Sequence, residues 1–152
     1  MNNARISRVF SDIATLLQLE GEPVFKTRAY SRAADIAANH PVDLVSIASD
    51  LDALKEIPGI GNAISLKIQE LATTDHLQFY EDLQGRFPAG LLTLLEVPGI
   101  GPKTALRASE ELGIFSVETL EQSIEAGEFE KLPRVGKKNA ENILRHIRSQ
   151  RR

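Results

Sequence analysis

The chain has 152 residues, 42% of them hydrophobic and 26% charged, with no cysteine and no tryptophan. That apolar content is enough for one domain or two small ones, and the missing cysteines exclude disulfides, thiolate metal sites and a cysteine nucleophile. The formal net charge of −3 averages three unlike segments: residues 1–40 carry +1, residues 41–130 carry −11 and residues 131–152 carry +7.

In chain order, residues 4–20 place Ile6, Val9, Phe10, Ile13, Leu16 and Leu17 at helical spacing, an apolar stripe that faces a core. Gly21 and Pro23 end that helix. From Val24 to Asn39 the stripe is Phe25, Ala29, Tyr30, Ala33, Ala34 and Ala37, and Pro41 stops the segment. Asp43 is expected to cap a short helix through Ile47, and Asp50 another through Glu56. Asn62 to Thr73, Leu77 to Phe87, Pro88 to Val97, Pro102 to Leu112, Ser116 to Ala126 and Lys137 to Arg148 read as further helices, with Gly113 and Gly127 as stops. No segment alternates with period two. The predicted fold is all-α, arranged as two small helical subdomains over residues 1–85 and 86–152.

One word recurs. Pro58-Gly59-Ile60-Gly61 and Pro98-Gly99-Ile100-Gly101 are the same tetrapeptide 40 residues apart, and Pro133-Arg134-Val135-Gly136 follows 35 residues later. Proline at the second position of a four-residue turn presets φ, and glycine at the third accepts the positive φ of a type II turn. The second glycine leaves bare backbone N–H groups at a helix start, where a phosphate binds well. Four residues beyond it stand Ser65, Ala105 and Ala140, small enough for two helices to approach closely; seven beyond stand Ile68, Ala108 and Ile143, which extend the buried face. The third copy departs at Arg134, because a positive φ there costs about 1 kcal/mol or more. Either that hairpin uses another turn type or it is mainly structural.

These residues resemble helix-hairpin-helix motifs: hydrophobic-Pro-Gly-hydrophobic-Gly, then a helix with a small residue one turn in. The whole order is similar to the front of family X DNA polymerases, above all the bacterial and archaeal members. It comprises Phe25-Lys26-Thr27-Arg28-Ala29-Tyr30-Ser31-Arg32-Ala33-Ala34, the first hairpin, Leu77-Gln78-Phe79-Tyr80-Glu81-Asp82-Leu83, the second hairpin and Glu111-Leu112-Gly113-Ile114. The resemblance implies an N-terminal lyase-type domain followed by a fingers subdomain, with hairpin amides binding the DNA backbone. It also implies a monovalent cation, sodium or potassium, on hairpin carbonyls such as those of Ile57 and Val97.

The resemblance further places Lys67 where the family's lyase lysine forms a Schiff base with an abasic sugar, and Lys26 and Tyr30 near the 5′-phosphate pocket. The supporting residues are replaced: Ala63 and Phe79 stand at basic positions, Leu66 at an acidic one, and Phe25 at a histidine. The family's polymerase site needs aspartates on palm strands, and no such segment occurs. Asp50-Leu51-Asp52 has suitable spacing, but its helix-start context reads as capping. The chain stops near where a palm would begin, as a fragment of a longer polymerase or as a free-standing relative would.

Other catalytic constellations are missing. His40, His76 and His146 lack metal-ligand spacing, no phosphate loop of the Walker type occurs, and the pairs Glu81-Asp82 and Glu110-Glu111 read as solvated helix faces.

Sequence-independent binding of nicked or gapped DNA is therefore expected. Gly59, Ile60, Gly61, Gly99, Ile100, Gly101 and Gly136 form the hairpin grip; Lys67, Lys103, Arg107, Lys137 and Lys138 add charge, and Arg145 and Arg148 extend the track. Gly99→Pro or Gly101→Val is expected to weaken binding without unfolding. The alternative is a non-catalytic interaction module whose acidic middle repels DNA. A monomer is expected. With no apolar stretch long enough for a signal peptide or a membrane span, a cytoplasmic location and no membrane partner are expected too.

Overall fold

A computed structural model describes residues 1–151. Ten α-helices and one 3-10 turn make up the described residues, with no strand among them. They form two compact units that divide after Gly85.

In the first unit, α1 (Asn3–Leu19) and α2 (Val24–Asn39) form an antiparallel pair. Asn2 caps α1 by accepting from the Arg5 amide, and Ile6, Phe10, Ile13 and Leu16 are fully or almost fully buried. Small residues Ala33, Ala34 and Ala37 are the buried positions of α2, which lets the two helices pack closely. Two short helices follow, α3 (Leu44–Ile47) and α4 (Leu51–Lys55). Asp43 and Asp50 cap them, with the Asp50 carboxylate accepting from the amides of Asp52 and Ala53. The capping reading of Asp50-Leu51-Asp52 therefore stands. The first hairpin then leads into α5 (Asn62–Thr74), and α6 (Gln78–Gln84) returns against α1.

The second unit contains α7 (Leu91–Leu95), the second hairpin, α8 (Pro102–Leu112), α9 (Val117–Glu125), a 3-10 turn (Phe129–Lys131), the third hairpin and α10 (Gly136–Ser149). Ser116 and Thr119 form a reciprocal capping box at the start of α9. Gly113 ends α8 at φ +65°. Phe129, Leu120, Leu94 and Ala108 are fully buried in this unit.

The structure corrects the sequence reading at two helices. The segment expected from Pro88 to Val97 is helical only from Leu91, because Gly90 sits at φ +83° and ends the preceding turn. Its backbone lies directly against Phe115, so there is no room for any side chain. Likewise α6 stops at Gln84, short of Phe87.

Candidate nucleic-acid interface

All three hairpins share one turn. Ile60 N–H donates to the Ile57 carbonyl at 3.0 Å, Ile100 N–H to Val97 at 3.2 Å, and Val135 N–H to Leu132 at 3.2 Å. The third turn residue takes a positive φ each time: +95° at Gly59, +97° at Gly99 and +67° at Arg134. Arg134 thus adopts the left-handed conformation that the other two hairpins leave to glycine, so of the two alternatives for this hairpin the change of turn type does not occur.

The turns are pinned from inside. Ile60, Ile100 and Val135 are buried, as are the small residues Ser65, Ala105 and Ala140 one turn into each following helix. The Ser65 hydroxyl donates to the Asn62 carbonyl at 2.7 Å, which satisfies it without a partner outside the turn. Ile60 and Ile100, expected among the DNA contacts, are turn anchors: their side chains face the core and their amides are spent within the hairpin.

What the first two hairpins leave open is the second glycine. Gly61 and Gly101 are the N-caps of α5 and α8, with extended backbone at φ −92° and −87° and no side chain to fill the first-turn amides. Neither φ requires glycine. A Cβ at either position would meet nothing within 4 Å. Gly61 and Gly101 are exposed, and the first-turn N–H groups of α5 and α8 (Pro102 has none) have no intrahelical partner. The third hairpin differs here, since its second glycine, Gly136, takes φ +73° and the N-cap before it is Val135, with αR rather than extended backbone.

The first glycine has the opposite character. A Cβ on Gly59 would stand 2.7 Å from Ile36 Cδ1 and 2.9 Å from Arg32 Cδ, and one on Gly99 would stand 3.2 Å from Ile143 Cγ1. Gly99 so places the second hairpin on α10, bringing hairpins two and three together within one unit.

Charge is unevenly available. Lys103, Arg107, Lys137, Lys138 and Arg145 are exposed and form no ion pair among the described residues. Arg148 is different: it donates to Glu125 at 2.7 Å and to Glu121 at 3.3 Å, and these carboxylates raise its already high pKa. Arg151 also pairs with Glu121, at 2.7 Å. The track expected through Arg148 is therefore interrupted by the acids of α9.

In the first unit, Lys67 Nζ lies 4.8 Å from the centre of the Phe79 ring and 6.0 Å from that of Tyr30. The two rings stack at 5.9 Å with 8° between planes, and Phe10 tilts against Tyr30 at 6.1 Å. Burial raises the Tyr30 hydroxyl pKa above its usual value. Of the two residues expected near a 5′-phosphate pocket, Tyr30 lies beside Lys67, the position of the family's lyase lysine, whereas Lys26 is exposed and paired with Glu22 at 3.3 Å. Phe10 was not expected in this cluster, whereas Phe79, placed by the resemblance at a basic position beside Lys67, fills it with an aromatic ring. Phe79-Tyr80, adjacent aromatics in a chain with only eight, was the available signal. Among the described residues no group of three His, Asp or Glu side chains is placed to hold a metal.

The pattern of a helix-hairpin-helix domain matches residues 1–77. The chain belongs to the helix-hairpin-helix family. A tandem helix-hairpin-helix pattern of the SAM-like type also matches residues 91–149, the stretch in which the second and third hairpins pack together. Among individual relatives, the DNA polymerase/3'-5' exonuclease PolX of Bacillus subtilis is 31% identical over 147 residues, 97% of this chain and 25% of that protein. DNA polymerase lambda of Arabidopsis thaliana is 31% identical over 110 residues, 72% of this chain and 20% of that one. The Holliday junction branch migration complex subunit RuvA of Polaromonas sp. is 34% identical over 95 residues, 60% of this chain and 48% of it. The expected likeness to family X DNA polymerases holds over nearly the whole chain, which spans about a quarter of the length of that bacterial relative. No described helix is long and apolar enough to cross a membrane.

Proposed function

We propose that this chain grips the sugar-phosphate backbone of nicked or gapped DNA without reading sequence, as the DNA-handling part of a family X polymerase acting in repair. One observation carries the proposal. Gly61 and Gly101 are needed neither for their φ nor for internal space, so what a side chain there would obstruct is an approaching external group. Bare amides at a helix start match an anionic oxygen, and a backbone-only contact is indifferent to base sequence. The DNA polymerase and RuvA relatives support the same reading.

Lys103 and Arg107 on α8 and Lys137 and Lys138 on α10 supply charge beside the second and third hairpins. The carbonyls of Ile57 and Val97 each accept one turn hydrogen bond and retain a second lone pair, so they suit a monovalent cation such as sodium or potassium. Lys67 serves as a further backbone cation. A 5′-deoxyribose-phosphate lyase role for it lacks support from its surroundings: Phe25, Ala63 and Leu66 are exposed and uncharged, and Lys26 is paired.

The test is titration of a gapped duplex at increasing salt. Affinity is expected to fall steeply and linearly on a log–log scale, by about 0.9 per neutralised phosphate. Absence of binding at low salt would instead favour a protein-interaction module. Borohydride trapping on a 5′-deoxyribose-phosphate end tests the lyase separately, and an adduct lost in Lys67→Ala would overturn our assignment of that lysine.

A further inference from the structure

We propose that Arg134 makes the third hairpin a phosphate grip of its own, the guanidinium taking the part that bare amides take at the first two. The inference rests on the DNA reading above. Arg134 holds φ +67°, where glycine stands in the other hairpins, and any residue with a Cβ is strained there. The side chain recovers none of that cost within the fold. It is exposed and, among the described residues, makes no hydrogen bond or ion pair.

The first two hairpins crowd a side chain at this position, because Arg32 and Ile36 lie against Gly59, and Ile143 against Gly99. At the third, Pro133 and Arg134 are exposed. Arg134 also stands in a selected set of cations. Arg148 and Arg151 are held by Glu121 and Glu125, whereas Lys131, Arg134, Lys137 and Lys138 are exposed around one turn without ion pairs. Meanwhile the helix entry has lost the extended glycine cap, since the N-cap is Val135 with αR backbone and Gly136, the first helical residue, sits at φ +73°. The hairpin has exchanged amide recognition for a guanidinium fork, which matches two phosphate oxygens at once.

Arg134→Gly restores the turn of the other hairpins and separates fold from binding. The expected result is a melting temperature that is unchanged or higher. Affinity for a gapped duplex should drop roughly threefold, with a salt slope shallower by about 1. Arg134→Lys should keep most of the slope. Wild-type binding to the duplex with an unaltered affinity and slope in Arg134→Gly would overturn the assignment and leave the DNA reading intact. A lowered melting temperature in Arg134→Gly would also overturn it, by showing that the side chain serves the fold. Failure of the wild type to bind would remove both.

Discussion

The Tyr80 hydroxyl donates to the Asp12 carboxylate at 2.7 Å, tying α6 to α1 across 68 residues of chain. Both groups are partly buried. Burial, followed by the neighbouring carboxylate, pushes the Tyr80 pKa far above the usual tyrosine range. Burial likewise raises Asp12, partly opposed by the Tyr80 hydrogen bond and by Arg8.

A folded-state tyrosine pKa above the unfolded value of about 10 gives stability that is complete below pH 10 and lost as pH rises further. Unfolding free energy is therefore expected to decline above pH 10, with Tyr80 and Tyr30 both contributing. Tyr80→Phe should cost about 1 kcal/mol at neutral pH, discounted for partial exposure, and flatten the alkaline decline by one proton. Denaturant titrations at pH 8 to 11 check both effects, and an equally steep decline in Tyr80→Phe would contradict them.

Gly90→Ala is expected to disrupt the second unit. The added methyl would overlap the Phe115 backbone, and φ +83° is itself unfavourable for alanine. Since backbone on both sides must move, the loss should be about 3 kcal/mol or more. Thermal unfolding measures it; a shift of only a degree or two would mean the segment rearranges freely.

The two glycines of the second hairpin should separate cleanly. Gly101→Val fits an ordinary φ and open space, so the melting temperature should hold while DNA affinity falls roughly tenfold through blocked amides. Gly99→Pro, which the sequence reading treated as equally harmless to the fold, is incompatible with φ +97° and should unfold the hairpin. Comparing melting and binding curves for the pair would expose any error, most directly if Gly101→Val bound as well as wild type.

Arg148→Ala should leave the salt slope of DNA binding unchanged, because Glu121 and Glu125 already neutralise that guanidinium. Lys137→Ala with Lys138→Ala should reduce the slope by about 2. A fluorescence-anisotropy salt series on the three proteins distinguishes a track through Lys137 from one through Arg148.

By itself the sequence determined the helices and their stops. Apolar spacing, Asp43 and Asp50 as caps, and Gly113 as a terminator act over four or five residues, and the structure reproduces them. The repeated Pro-Gly-Ile-Gly word was equally legible, since proline and glycine specify a turn locally. Only the tertiary structure decided what surrounds those turns. Phe115 against Gly90, Ile143 against Gly99, Tyr30 beside Lys67, and Glu121 holding Arg148 all join residues 25 or more positions apart. No local pattern encodes such pairs, because they follow from how helices pack. They also sort the proposed grip: at each intact hairpin the positive-φ glycine lies against a neighbouring helix, and the other has open space around it.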